Sequence, residues 1–279
     1  MRQVLLFYQT YMIPGLLGYF SFVPDLAIFL LLLKIRSVKF SKIWFVALFS
    51  MYFGMCFATL FAIFLNGADS RFLPSDSFFS VIISVFNPMN TKGKVLYGGY
   101  FGAMFGIWLA NFIFKCKSLP VFLDAAAIST SLMFSIWRLG CFFNGCCYGI
   151  PSKTFGVSFL KGSKAFQLLR NTDLIVGDAT VSLLPTQLIS SAGDFIIFLF
   201  LLILFLKNKT RYPYFYFFAH ALLYGIGRFT IEFFRIDPRE FWGPLSMSQW
   251  LSLALVAAAL VFFIKNRKEI VQSFRRDVS

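Results

Sequence analysis

The alternation of apolar and polar stretches divides this chain into seven segments of spanning length, at about residues 17–33, 43–65, 96–114, 119–137, 187–206, 214–234 and 245–264. A bilayer core of about 30 Å calls for about 20 residues of helix at 1.5 Å per residue. None of these segments alternates apolar and polar residues as a barrel strand does, so helices must satisfy their backbone groups in hydrocarbon. The pattern predicts an all-α membrane protein, one domain over residues 1–279 with seven transmembrane helices. An aromatic lead at 7–11 precedes the first span. A short apolar piece at 78–86, too brief to cross, is expected along the interface, after a turn carrying Asp69, Arg71 and Asp76. Residues 139–187 are the one long polar segment and predict a small extracytoplasmic lobe between spans four and five. A hairpin or a few short strands are expected there, with too few apolar residues for a core of its own.

Charge orients the bundle. Lys34, Arg36, Lys39 and Lys42, then Lys115 and Lys117, then Lys207, Lys209 and Arg211, and finally the tail from Lys265 to Arg276 all fall on one side of a seven-span chain. Positive residues stay cytoplasmic, which puts the N-terminus outside and the C-terminus in the cytoplasm. The opening Met1-Arg2-Gln3 leads into an interrupted apolar stretch without a small-residue cleavage pattern, so the first span is expected to remain as an anchor. Composition agrees: 58% hydrophobic residues, 14% charged and 40 phenylalanines exclude a soluble domain. The net charge of +14 suits anionic headgroups, and its scatter between spans argues against nucleic acid.

Candidate chemistry begins at Trp137-Arg138-Leu139-Gly140-Cys141-Phe142-Phe143-Asn144-Gly145-Cys146-Cys147-Tyr148-Gly149. Arg138 is expected to emerge at a membrane face where span four ends, with glycines turning the backbone back toward it. An arginine there holds a lipid phosphate through paired donors, or merely snorkels to headgroups. Tyr97-Gly98-Gly99-Tyr100-Phe101-Gly102, continued by Ala103 and Gly106, lets either a neighbouring helix or a ligand approach closely. On span six Arg228, Glu232 and Arg235 share one helical face. Two arginines against one carboxylate leave positive charge for an anionic ligand, with Asp124 and Asp194 as partial counterions; the alternative is an ion pair that locks the bundle. In the predicted topology the Arg138 loop, the Tyr97 end of span three, the outer part of span five and the Arg228–Arg235 end of span six meet in the exterior half of the bilayer.

Cys56 and Cys116 read as packing residues. Cys141, Cys146 and Cys147 admit a disulfide, a metal site or a nucleophile lowered in pKa by a neighbouring cation. Zinc is the weakest of these, because the single histidine, His220, belongs in mid-span and no second cysteine pair is present. No metal or cofactor is expected.

Arg138-x-Gly140-x3-Asn144-Gly145-x3-Gly149 resembles the signature loop of the bacterial prolipoprotein diacylglyceryl transferases, and the similarity continues in order from Tyr97 to Ile264. Tyr97-Gly98-Gly99 resembles the family's His-Gly-Gly, and Asp124-Ala125 its acid before the signature helix. Pro185-x-Gln187-Leu188 with Asp194 is similar to its Pro-Ser-Gln-Leu segment. Tyr224-Gly225-x2-Arg228-Phe229-x2-Glu232-Phe233-Phe234-Arg235-x-Asp237 is nearly the family's span-six motif, and Leu245-Ser246-Met247-x-Gln249 resembles its span-seven opening. The resemblance implies a transferase of the bacterial inner membrane, its active site toward the outer leaflet. Such an enzyme moves the diacylglyceryl group of phosphatidylglycerol to the lipobox cysteine of a preprolipoprotein. It implies Arg138, Arg228, Glu232 and Tyr97 as catalytic positions, and Asn144, Gly98, Gly99, Gly149 and Arg235 with both arginines as the substrate-binding set. The sequence departs from the family where Tyr97 replaces its histidine, Cys141 an asparagine, Cys146 a glutamate and Leu184 a second histidine. Those departures keep two alternatives in view: a related lipid-dependent transferase with another acceptor and help from a cysteine, and a lipid-binding protein that carries out no reaction.

Overall fold

A computed structural model describes residues 17–18, 20–38, 40–66, 83, 85–86, 96–207, 212–239 and 241–276. The aromatic lead at 7–11, the turn with Asp69, Arg71 and Asp76, nearly all of 78–86, and Lys39, Lys209 and Arg211 lie outside the described residues.

The chain runs α1 (Phe22–Ile35), α2 (Phe40–Asn66), α3 (Leu96–Ile113), α4 (Leu119–Asn144), α5 (Lys164–Leu169), β1 (Ile175–Val176), β2 (Ala179–Thr180), α6 (Thr186–Leu206), α7 (Phe215–Glu232), β3 (Phe241–Trp242), β4 (Leu245–Ser246), α8 (Met247–Lys265) and α9 (Arg267–Arg276). Among the described residues, five helices are long and apolar enough to cross a membrane: Lys42–Ile63, Leu96–Ile113, Leu119–Asn144, Thr186–Leu206 and Met247–Lys265. Expected spans one and six are helical too. α1 has 14 residues, and α7 has 18, with Arg228 and Glu232 among them. The exposed Ile196, Leu199, Phe200 and Ile203 of α6 and Leu260, Val261 and Ile264 of α8 are the apolar exterior that a membrane protein presents to lipid.

The chain forms two compact units, Leu30–Ala125 and Met1–Phe29 with Ala126–Ser279. In the first, α3 lies backbone to backbone on α2. A Cβ on Gly98, Gly102 or Gly106 would strike the carbonyl of Phe57, Phe53 or Phe49, so the glycine spacing of four builds a helix contact. Lys42 Nζ donates to Phe114 O at 2.9 Å, capping the end of α3 with a cation.

In the second unit α7 packs on α8 where Gly225 leaves room for Val256 and the Ser252 carbonyl. Ser191 on α6 donates to Ser135 O on α4 at 2.9 Å. Phe134 lies 5.1 Å from Tyr224 between ring centroids, and Tyr224 stacks on the buried His220 at 5.5 Å.

Two expectations change here. α4 continues to Asn144 instead of ending at Trp137, so Arg138 lies inside a helix and is buried, only 7% exposed. The lobe does hold a small core: Tyr148, Phe159, Ala165, Leu169 and Leu183 pack together, joined by Phe142, Leu174, Ile175 and Val181. These apolar residues come in ones and twos between polar residues, so no long run marks a core. The lobe also carries the β1–β2 hairpin, with Ile175 opposite Thr180, and α5, capped by Ser163 through the Phe166 amide at 3.2 Å.

Candidate functional site

The C-terminus of α4 explains how the signature loop turns. Gly145 is left-handed at φ +67, its amide bonds Phe142 O at 3.0 Å, and the Cys146 amide bonds Cys141 O at 3.1 Å. This pair of bonds is the Schellman arrangement, which brings the residue just past a helix end onto the one five positions earlier. Cys141 and Cys146 are therefore neighbours by helix-end geometry.

The loop is then stitched into place from two sides. Gly149 N donates to Leu184 O at 2.9 Å, Leu184 N to Ile150 O at 2.8 Å and Ile150 N to Phe234 O at 2.9 Å. Gln187 Nε2 donates to Cys146 O at 2.6 Å, and the Thr186 hydroxyl to Cys147 O. A Cβ on Gly149 would come within 2.6 Å of Phe234 O and 2.7 Å of Thr186 Cγ2, so only glycine fits between the two segments it joins. This lacing brings the Arg138 segment, the start of α6 and the end of α7 together.

Between them is a cavity of about 300 Å³ lined by Arg138 from α4, by Ser190, Gly193 and Asp194 from α6, and by Tyr224, Gly227 and Arg228 from α7. The two arginines, ninety positions apart, thus share one space with a buried carboxylate. Gly193 and Gly227 leave its walls open, with nothing within 4 Å of where a Cβ would stand.

The arginines differ in how they are held. Arg228 pairs with Glu232 and donates from Nη2 to Ser248 Oγ at 3.0 Å. Glu232 Oε1 accepts from Ser246 Oγ at 2.8 Å and pairs with Arg239 Nη1 at 2.9 Å, while Oε2 also accepts from Arg235 Nη1 at 3.4 Å. Arg235 in turn grips Asp237 with Nε at 3.0 Å and Nη2 at 2.8 Å. By contrast, Arg138 Nε is buried without a hydrogen-bond partner among the described residues, as is Asp194 Oδ2. A buried guanidinium N–H without a partner is costly, and it is a donor that the described residues leave unused.

The network is larger than two arginines and one carboxylate but keeps an arginine in excess, with Arg228, Arg235 and Arg239 on Glu232 and Asp237. Arg239, Asp237, Ser246 and Ser248 complete it, residues whose type and spacing alone do not mark them for that role. Asp237 closes the span-six motif and Ser246 opens the span-seven one. Their pairing could be read from the chain only by knowing that the β3–β4 hairpin folds one motif back on the other. Ser246 also begins a capping box with Gln249, accepting its amide at 3.3 Å while Gln249 Oε1 accepts the Ser246 amide at 2.9 Å. One serine thereby starts α8 and anchors Glu232.

Gly98 and Gly99 lie against α2 in the other unit, and Tyr97 and Asp124 of that unit are buried. Asn144 directs Nδ2 at Cys146 Sγ, 3.8 Å away. The thiols of Cys141, Cys146 and Cys147 are all within 4.8 Å of one another and are not bonded to each other. Hydrogen bonds with the Cys141 and Cys146 thiols, and then the guanidiniums of Arg235 and Arg138, hold the Cys147 thiol well below the ordinary thiol range. Burial pushes Tyr148 up to about 12.

Apolar helices of spanning length, with a cavity lined by Arg138 and Arg228, define a multi-pass membrane protein. The match to known proteins narrows this. Residues 15–265 match the family described as prolipoprotein diacylglyceryl transferase, and the chain belongs to that family. It is similar to phosphatidylglycerol–prolipoprotein diacylglyceryl transferase 2 of Clostridium perfringens, with 34% identity over 64% of this chain and 66% of that protein. The corresponding enzyme of Clostridium tetani is 33% identical over 63% of this chain and 65% of its own length. That of Finegoldia magna is 31% identical over 65% and 64%. The matched stretch thus spans just under two thirds of the length of these relatives.

Proposed function

We propose that this protein transfers the diacylglyceryl group of phosphatidylglycerol to the lipobox cysteine thiol of a preprolipoprotein, in the inner membrane of a bacterium. The observation that carries this reading is the shared cavity, in which Arg228 is held by Glu232 while Arg138 keeps a buried donor in reserve. A phosphate diester there meets two guanidiniums, and the charge that develops on the departing phosphate is met by donors already in place. The acceptor sulfur bonds to the terminal glycerol carbon of the lipid, the carbon–oxygen bond to phosphate breaks, and glycerol phosphate leaves, its freed oxygen taking up the thiol proton. Most of the acceleration then comes from positioning and charge stabilisation.

In this reading Glu232 and Arg235 hold Arg228 in register, while Asn144 and Gly149 shape the loop that bears Arg138. The roles of Tyr97, Gly98 and Gly99 follow from family resemblance. The chain has seven spans, N-terminus outside, C-terminus cytoplasmic, and the cavity toward the outer leaflet.

Purified protein supplied with phosphatidylglycerol vesicles and a lipobox peptide is expected to yield a peptide heavier by one diacylglyceryl unit by mass spectrometry, with glycerol phosphate released. No modified peptide, with phosphatidylglycerol still retained in an Arg138-dependent way, would replace this reading with that of a lipid-binding protein. That second reading has one observation in its favour, the tyrosine at position 97 in place of the family's histidine. A phenol is a weaker base than the imidazole it replaces.

A further inference from the structure

The thiol cluster is not used by the reaction above. As a nucleophile toward the lipid, any of the three would itself end as a thioether, which has no good leaving group to pass on. Their arrangement suits a different task. Cys146 and Cys147 have sulfurs 3.8 Å apart, and with Cys141 the three lie mutually within 4.8 Å. Around one metal ion at a metal–sulfur distance of about 2.3 Å, three sulfurs in a plane stand about 4 Å from one another.

The backbone fixes this arrangement before any ion arrives. The helix-end bonds set Cys146 beside Cys141. The left-handed conformation of Cys147, at φ +63, is sparsely populated by residues other than glycine. It is held there by Thr186 on its carbonyl, while Gln187 holds the carbonyl of Cys146. A strained residue kept in place by its surroundings is a common mark of a site.

We propose that Cys141, Cys146 and Cys147 bind one thiophilic metal ion, Cu(I), through three thiolates. Among the described residues no histidine or carboxylate joins the group. Three soft ligands with no fourth match monovalent copper better than zinc, which takes four. Three thiolates and one Cu(I) carry a charge of −2, and two cations, Arg235 and Arg138, lie within electrostatic reach of Cys147. Cys141 is one helical turn beyond Arg138, so a bound ion stiffens the end of α4 that carries that arginine. The inference is independent of the transfer reaction and is tested without it.

The full-length protein, purified in detergent, reduced and kept anaerobic, is titrated with Cu(I) against bathocuproine disulfonate. We expect one copper retained per chain and an X-ray absorption signature of three sulfur neighbours at about 2.3 Å. Cys141→Ser, Cys146→Ser and Cys147→Ser should each weaken retention by about ten-fold or more, whereas Cys56→Ser and Cys116→Ser leave it unchanged. The spectroscopy on the unaltered protein stands even where a serine variant fails to fold. Copper retention no greater than that of the triple serine variant would overturn the proposal. So would zinc retained in preference in a four-coordinate site, or a disulfide among these cysteines in protein alkylated directly in its membrane.

Discussion

Arg138 and Arg228 show how two like residues in one cavity acquire different duties from their neighbours. Arg228 is the counterion of a carboxylate buried to 5% exposure, and that carboxylate also serves Arg235, Arg239 and Ser246. Removing Arg228 takes one partner from Glu232 while Arg235, Arg239 and Ser246 remain, so the cost is a share of the about 3 to 5 kcal/mol of a fully stranded buried charge. Arg228→Ala is therefore expected to lower thermal stability in detergent markedly, alongside any loss of activity. Arg138→Lys should behave differently. No carboxylate is stranded, so thermal unfolding stays close to that of the parent, yet the two-pronged grip on phosphate is gone. Transfer should fall by about 100- to 1,000-fold, the usual worth of one preorganised donor. Equal loss of stability in the two variants would refute this division of labour.

Elements come together here through their ends. The close of α4, the opening of α6, the close of α7 and the cap of α8 all meet around the loop at Gly149 and the carboxylate of Glu232. Their junctions are where single atoms matter. Gly149→Ala places a methyl group against backbone atoms that cannot retreat, and overpacking of this kind costs about 1 to 3 kcal/mol. By contrast, Gly227→Leu has open space for its first side-chain atom on the cavity wall. It should leave the unfolding temperature nearly unchanged while excluding phosphatidylglycerol, read as lipid retained after purification. Retention of lipid by a well-folded Gly227→Leu protein would detach the cavity from the lipid.

For the whole molecule the testable claim is orientation. The lobe over residues 139–187 and the basic segments at Lys115–Lys117 and after Lys265 should face opposite sides of the membrane. With the native cysteines replaced by serine, Lys161→Cys should react with an impermeant maleimide in spheroplasts, and Arg267→Cys only after permeabilisation. Labelling of both without permeabilisation would overturn the predicted orientation. Much at this scale was legible in the sequence. Hydropathy located the helices because transfer of a segment into lipid sums contributions residue by residue, without regard to its neighbours. The motif residues Arg138, Arg228, Glu232 and Gly149 could likewise be picked out by type and spacing. Harder to see were the end of α4, where Gly145 rather than Arg138 marks the stop, and the core of the lobe, assembled from short apolar pieces far apart in the chain, such as those holding Leu169 and Leu183. The sequence by itself determined a helical membrane protein, its charge bias and the residue types of its site, because hydrophobicity and charge act locally along the chain. Only the tertiary structure decided that Glu232 is shared among three arginines, that Arg138 keeps a free donor, that Gly98 packs a helix, and that three cysteines meet. Each of those depends on distances between segments far apart in sequence, and such distances are set by the packing of helix ends rather than by any one segment's composition.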